Sequence, residues 1–309
     1  MMEVRSGIFG LAVADALGVP VEFMQRETLR ENPVTDMRAK GTHHQPKGTW
    51  SDDTSMTLCL ADSLSAGGVD YDDIMKKFCS WWIGGEYTPH GYAFDIGAAT
   101  GRALSRFREG TPPLLCGGRT ERDNGNGALM RMLPAVYIVR NMPMDKCMDI
   151  AHSLTMLTHA HPRALIASGI YVRIGVALLD GRSPADAVSR ALEECRGYYE
   201  TGDHASELSH YQRLFGNIAE LPEEEIRSSG YVVDTLEAAV WCLLNTNSYR
   251  ECVLCAVNLG EDTDTVGAVA GGMAGICYGY GSIPSEWLNS LARADIIEAV
   301  CGAFQKQAG

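Results

Sequence analysis

Apolar residues recur at three- and four-residue intervals along most of the chain, the spacing that places side chains on one face of an α-helix. Met56, Cys59, Leu60 and Leu64 are typical of this pattern. Alternation of apolar and polar residues, which would indicate strands, is nearly absent, so we expect an all-α protein. The predicted helices cover residues 7–16, 54–65, 72–82, 96–107, 144–155, 162–179, 184–195, 233–244, 249–259, 265–278 and 295–304.

Small residues are concentrated in the predicted helix that includes residues 267–275. Glycine lowers intrinsic helicity, but small side chains let the backbone of another helix come close. No strand precedes these glycines and their spacing differs from a dinucleotide-binding fingerprint. The pattern therefore predicts tight helix packing.

The formal net charge is −13, from 39 acidic and 26 basic residues among 309. Such a chain repels a phosphate backbone, so we expect no broad binding of nucleic acid. We find no linker rich in proline, serine or charge. A single domain over residues 1–309 is the resulting expectation.

Ten cysteines are present, and the N-terminus lacks the pattern of a secretory signal. We therefore expect free thiols and a cytoplasmic protein. Cys252 and Cys255 form a lone CxxC motif, which favours two packed thiols over a zinc site. The sequence also predicts no apolar run of transmembrane length and hence no membrane partner.

Two acidic, hydroxyl-rich runs stand out, 51–54 (Ser-Asp-Asp-Thr) and 262–265 (Asp-Thr-Asp-Thr). Each precedes a predicted helix. Carboxylate and hydroxyl oxygens are the ligands that hard divalent cations prefer. If folding brings the runs together, they can hold one or two metal ions.

Helix capping is the alternative for either run taken alone, since Ser, Thr and Asp are favoured N-caps. A cap needs only one such residue, however, and adjacent carboxylates repel each other unless a cation compensates them. Two complete runs therefore favour metal binding.

A glycine-rich loop lies between the two runs, at Asp123-Asn124-Gly125-Asn126-Gly127. Backbone N–H groups of such a loop before a helix can hold an anion, although the same residues are common in simple turns. Arg131 is either a source of positive charge for that anion or a packing residue.

Three further polar residues are candidates. His159 can donate a hydrogen bond to phosphate, or can be a satisfied loop histidine. Asp95 is either a helix cap or a carboxylate that faces a ligand. Glu22 lies among apolar residues, where burial would raise its pKa toward a value useful in acid–base catalysis.

Together, these motifs resemble the ordered signature of the ADP-ribosylglycohydrolase family, from about residue 7 to residue 275. The motifs that carry the resemblance are Asp15-Ala-Leu-Gly18 with Pro20 and Glu22-Phe23, Gly48-Thr-Trp-Ser-Asp-Asp-Thr54, Phe94-Asp-Ile-Gly97, Gly125-Asn-Gly127 with Arg131, Thr158-His159, and Asp262-Thr-Asp-Thr265.

The resemblance implies a compact, single-domain orthogonal helical bundle that hydrolyses the bond between ADP-ribose and an acceptor. N-linked arginine is favoured and O-linked serine is possible, in an ADP-ribosylated protein or a small-molecule conjugate. It implies two divalent cations, Mg²⁺ or Mn²⁺, with ligands at Ser51, Asp52, Asp53, Asp262, Asp264 and Thr265. The implied catalytic residues are Glu22, Asp52 and Asp53. The implied substrate contacts are Asp95, Gly125, Asn126, Gly127 and His159.

Two positions depart from the family pattern. Ser51 stands where threonine is common, and Glu261 stands where glycine is common.

Two other functions also stay open, a metal-dependent phosphohydrolase that would release AMP and a protein that binds ADP-ribose without cleaving it. Acceptor selection is expected in loops such as 84–90 or 200–210.

Overall fold

The computed structural model describes residues 3–308, which form fifteen α-helices joined by short 3₁₀ turns. In chain order α1 to α15 are Val4–Gly18, Arg26–Glu31, Asp52–Leu64, Tyr71–Gly84, Ala98–Arg108, Leu133–Val139, Met144–Met156, Pro162–Leu179, Pro184–Glu200, Gln212–Phe215, Val232–Leu244, Tyr249–Asn258, Thr263–Tyr278, Ser285–Ser290 and Ala294–Phe304.

The all-α prediction is confirmed, because these residues contain only isolated β-bridges and no strand. Every predicted helix is present, with ends that differ by a few residues. The helices that the sequence did not predict are α2, α6, α10 and α14. Three of them span six residues or fewer, and α6 is buried along most of its length, so it lacks a polar face.

Helices α1 and α13 pack together at the centre of the fold. A Cβ atom on Gly10 would lie 2.5 Å from the carbonyl oxygen of Gly271 and 3.0 Å from the Cα of Gly275. A Cβ on Gly18, at the end of α1, would collide with the backbone of Asp264. The predicted close packing of residues 267–275 is therefore confirmed, and it fixes the start of α13 beside the end of α1.

Two apolar segments, Val4–Val21 and Pro162–Leu179, are each 18 residues long with a mean hydropathy of 1.4, which is long and apolar enough to cross a membrane. The prediction that no apolar run reaches this length is wrong for these two segments. Both lie mostly inside the protein, with 94% and 83% of their residues buried. Helices surrounded by protein are apolar on all sides, which explains why they pass the test.

Buried side chains form one cluster that extends from Val4 to Ala308. The ten cysteines are free thiols, as predicted. Cys252 is fully buried on α12, and Cys255 is partly buried on the same helix. The assignment of residues 1–309 to one domain stays a prediction.

Replacement of Gly10 by alanine should lower the free energy of unfolding by about 1–3 kcal/mol, because the added methyl group meets backbone atoms of α13 that cannot move freely. Urea unfolding followed by circular dichroism measures the change.

Gly302→Ala is the matched control, because Gly302 is exposed on α15 and a Cβ there would meet nothing within 4 Å. This control should raise stability by about 0.5–1 kcal/mol through helix propensity. Equal effects of the two substitutions would contradict the close packing of α1 and α13.

Candidate metal and substrate site

The two acidic runs meet where α3 and α13 begin. Thr265 Oγ1 donates to Asp53 Oδ2 over 3.3 Å, although the two residues are 212 positions apart. Carboxylate oxygens of Glu22, Asp262 and Asp264 lie within 4.8 Å of one another. Folding therefore brings the runs together, as metal binding requires.

Capping explains only part of this arrangement. The Ser51 hydroxyl caps α3 by accepting from the N–H of Asp53. Asp262 holds the N-cap position of α13 but makes no capping bond, and its Oδ2 instead accepts from the side chain of Asn126 over 2.9 Å.

Asp15, a buried carboxylate in the apolar helix α1, holds the first acidic run in place through hydrogen bonds. Its oxygens accept from the backbone N–H groups of Ser51 and Thr54 and from the Thr54 hydroxyl. Burial raises the pKa of Asp15 to about 7. The sequence placed Asp15 in the family signature but not in this role, and the signal was a lone acid in an otherwise apolar helix.

The carboxylate oxygens of the cluster suit a hard divalent cation as ligands. Asp53 Oδ1, Asp262 Oδ1 and Asp264 Oδ2 are buried and have no hydrogen-bond partner within residues 3–308. Burial, followed by repulsion from neighbouring carboxylates, raises the pKa values of Asp52, Asp53 and Asp264 well above their usual range. A bound cation would pair these oxygens and offset the repulsion, so the residues present fit a metal site.

Glu22 follows a short 3₁₀ turn after α1 and is buried at the edge of the cluster. Burial, and then repulsion from Asp95 and Asp262, raises the pKa of Glu22 to about 10. Its Oε2 contacts Nε2 of His43. His43 is not among the residues predicted from the sequence, because it reaches the site through a tight turn that helical periodicity does not reveal.

Asp95 lines the same cavity and does not occupy the N-cap position of α5, so the alternative of a helix cap is wrong. The N-cap of α5 is Gly97, which makes no side-chain capping bond. Asp95 itself has a left-handed backbone, with φ of 59°, which is unusual for a residue other than glycine. This kink allows the Asp95 carboxylate to lie near Glu22 and His43.

The glycine loop forms another wall of the cavity, through Gly125, Asn126 and Gly127. The Asn126 side chain donates to Thr235 and to Asp262, and its backbone N–H donates to the carbonyl of Gly230. That N–H group is therefore not available to an anion. Asn126 instead connects the loop to the second acidic run.

Arg131 is a packing residue and not an anion ligand. It is fully buried and donates to the carbonyl of Gly127 and to the hydroxyl of Thr158. Burial lowers its pKa to about 9. It therefore holds the glycine loop and the His159 segment together.

His159 is buried beside the glycine loop. Burial, and then the nearby Arg131, lower the pKa of His159 to about 3, which keeps the imidazole neutral. Thr158 Oγ1 accepts from Arg131 and lies 2.8 Å from His159 Nδ1. The hydroxyl hydrogen is then free to donate to Nδ1, which favours the tautomer with its proton on Nε2. His159 can therefore donate to an anion from Nε2.

Three arginines that were not predicted as site residues also line the cavity, which has a volume of about 650 Å³. Arg102 pairs with Asp123 over 2.8 Å, and Arg106 donates to the carbonyl of Cys116. Arg122 makes no ion pair within the described part of the chain. The cavity thus combines buried carboxylates with guanidinium groups, despite the negative charge of the whole chain.

Comparisons with known proteins place the chain in one family. The model of the family described as ADP-ribosylglycohydrolase matches residues 2–308. ADP-ribosylarginine hydrolase Tri1 of Serratia proteamaculans (strain 568) is 36% identical over 299 residues, which cover 96% of this chain and 76% of that protein. The ADP-ribosyl-[dinitrogen reductase] glycohydrolase of Rhodospirillum rubrum is 33% identical over 286 residues, or 91% of this chain and 87% of that protein.

A solved structure described as an ADP-ribosylglycohydrolase-related protein complex superimposes with a TM-score of 0.83 and 34% sequence identity, and the match covers 100% of this chain and 99% of that one. The match of the family model over nearly all residues, together with these relatives, shows that the chain is an enzyme of the ADP-ribosylglycohydrolase family.

Proposed function

We propose that the protein hydrolyses the N-glycosidic bond between ADP-ribose and an arginine side chain of a modified protein, with two divalent cations, Mg²⁺ or Mn²⁺. Relatives at 36% and 34% identity are ADP-ribosylarginine hydrolases, which supports arginine as the acceptor. We also propose a cytoplasmic location, in keeping with ten free thiols.

One observation carries this proposal, namely that a single cavity joins a carboxylate cluster to groups that bind anions. ADP-ribose has the same polarity, because its terminal ribose carries hydroxyls and its diphosphate carries negative charge. The carboxylate cluster would hold the cations that attract the ribose hydroxyls, whereas His159 and the arginines suit the diphosphate.

The proposed metal ligands are Ser51, Asp52 and Asp53 from one run and Asp262, Asp264 and Thr265 from the other. When bound there, divalent cations supply positive charge that orients the ribose hydroxyls and makes nearby water more acidic. Asp15 and Asn126 keep the two runs in place through their hydrogen bonds.

The chain's own carboxylates suit the chemistry of glycosidic cleavage. The transition state carries positive charge on the sugar ring, which the carboxylate of Asp52 on the cavity wall would stabilise, with Asp53 behind it in the same run. Glu22 lies on the cavity wall with a pKa raised by burial, so it can hold the proton that the leaving guanidino nitrogen takes up.

The wall of the cavity that contains His159 and the glycine loop would contact the diphosphate. His159 would donate from Nε2 to a phosphate oxygen, beside the backbone of Gly125 and Gly127. A Cβ on Gly127 would lie 3.1 Å from the His159 ring, so glycine lets the loop backbone pack closely against this histidine. Asp95 would accept from hydroxyl groups of the ribose.

Incubation of the protein with an arginine-ADP-ribosylated peptide and Mg²⁺ or Mn²⁺ should release intact ADP-ribose, and excess chelator should abolish the release. Chromatography of the products measures this, with a serine-linked peptide in parallel. Release of AMP would indicate a phosphohydrolase instead, and binding without cleavage would contradict catalysis.

Asp264→Asn should lower kcat at least about 100-fold and weaken Mn²⁺ binding in calorimetry, because it removes a ligand charge from the cluster. The metal-free variant should melt at a higher temperature than the metal-free wild type, since one source of repulsion is gone. Asp295→Asn, at an exposed ion pair, is the control. Unchanged turnover in Asp264→Asn would refute the ligand assignment.

His159→Ala should raise KM by about tenfold or more with a smaller effect on kcat, because a hydrogen bond to a charged group contributes about 1.5–3 kcal/mol. Steady-state kinetics with His210→Ala, at an exposed histidine outside the cavity, provides the comparison. A change in kcat alone would contradict a role in holding the diphosphate.

A further inference from the structure

Phe23 has two unfavourable properties at once. Its side chain is 63% exposed, the largest exposed fraction among the large apolar residues described as exposed. Its backbone is left-handed, with φ of 63°, a conformation that is strained for a bulky residue. Neither property helps the fold, so an explanation in terms of function is favoured.

Hydrogen bonds of the backbone hold Phe23 in this conformation. Its N–H donates to the carbonyl of Glu261 over 2.6 Å, and the N–H of Glu261 donates to Met24 over 2.8 Å. Glu22 is buried in the carboxylate cluster, while the next residue lines the cavity with its ring exposed. The strained turn therefore presents an aromatic ring directly beside the proposed acid–base residue.

Further aromatic rings continue from Phe23. The rings of Phe23 and His43 have centroids 6.1 Å apart, and those of His43 and Phe94 are 5.3 Å apart. His43 contacts Glu22, and Phe94 precedes Asp95. The three rings therefore border the two carboxylates at the edge of the cluster. We call Phe23, His43 and Phe94 the aromatic rim.

We propose that the aromatic rim is the acceptor subsite, and that the flat guanidino group of the modified arginine stacks on the ring of Phe23. This inference rests on the proposed hydrolysis of ADP-ribosylarginine. A guanidinium group is planar and weakly hydrated, and it stacks well on aromatic faces. Asp95, which follows Phe94 and lines the cavity, supplies the complementary negative charge.

The same geometry selects between acceptors. A serine acceptor is small and neutral and has no flat cationic group to stack. Phe23, the member of the aromatic rim that lines the cavity, therefore contributes to recognition of arginine and adds little to recognition of the ADP-ribose half, which His159 and the arginines would contact.

Steady-state kinetics of Phe23→Ala, Phe23→Trp and wild type, with arginine- and serine-linked peptides and the same metal, tests the proposal. Phe23→Ala should raise KM for the arginine peptide about three- to tenfold. It should change KM for the serine peptide, or the inhibition constant of free ADP-ribose, by less than about twofold. Phe23→Trp should retain wild-type KM, because it keeps an aromatic face.

Two controls separate stacking from a structural effect. Ile83→Ala removes an equally exposed apolar side chain, at 60%, that does not line the cavity, and should change nothing. Phe23→Asn should melt at or above the wild-type temperature, since asparagine tolerates the left-handed conformation, while KM for the arginine peptide still rises. A lower melting temperature would mean that Phe23 serves the fold.

The outcomes distinguish this subsite from the function on which it rests. Wild-type protein that cleaves neither peptide would contradict the proposed function and the subsite with it. Active wild-type protein with an unchanged KM in Phe23→Ala would overturn the subsite alone. An equal loss of affinity for free ADP-ribose would also overturn it, because Phe23 would then contact the ADP-ribose half.

Discussion

Contact between α1 and α13 sets the position of the acidic groups in the cleft. These helices approach so closely that glycines are needed along the shared face, and Gly18 meets the backbone of Asp264. Asp15, on the same helix α1, holds the start of α3. One buried helix therefore aligns both acidic runs, and a shift of α1 would separate the carboxylates that have to act together.

Packing of this kind is necessary because the carboxylate cluster is unfavourable by itself. Several acids lie within a small buried volume, where burial and mutual repulsion raise their pKa values. The positive ends of two helix dipoles, at the starts of α3 and α13, offset part of this cost. Hydrogen bonds from Asn126 and from the residues around Asp15 offset more. A cation would supply the remainder, which explains why several buried oxygens lack a partner.

Much of the fold could be predicted from the sequence, because helical periodicity is local and each long helix of the chain carries it. The two acidic runs were also visible, since their ligand oxygens are adjacent in sequence. His43 was not, because its place beside Glu22 depends on a turn in which Gly41, at φ of 59°, fits against the backbone of Pro20. The arginines of the cavity were missed for the same reason, as residues on a helix and a distant loop meet only after folding.

The side-chain amide of Asn126 connects two parts of the site. A single amide group belongs to the loop proposed to hold the diphosphate and is also bonded to Asp262 of the metal run. A ligand on the loop that displaced this amide would remove a donor from Asp262, and a cation that moved Asp262 would act on the loop in the same way. Thermodynamic linkage makes this influence reciprocal, so that whatever factor the cation adds to nucleotide affinity, the nucleotide returns to cation affinity.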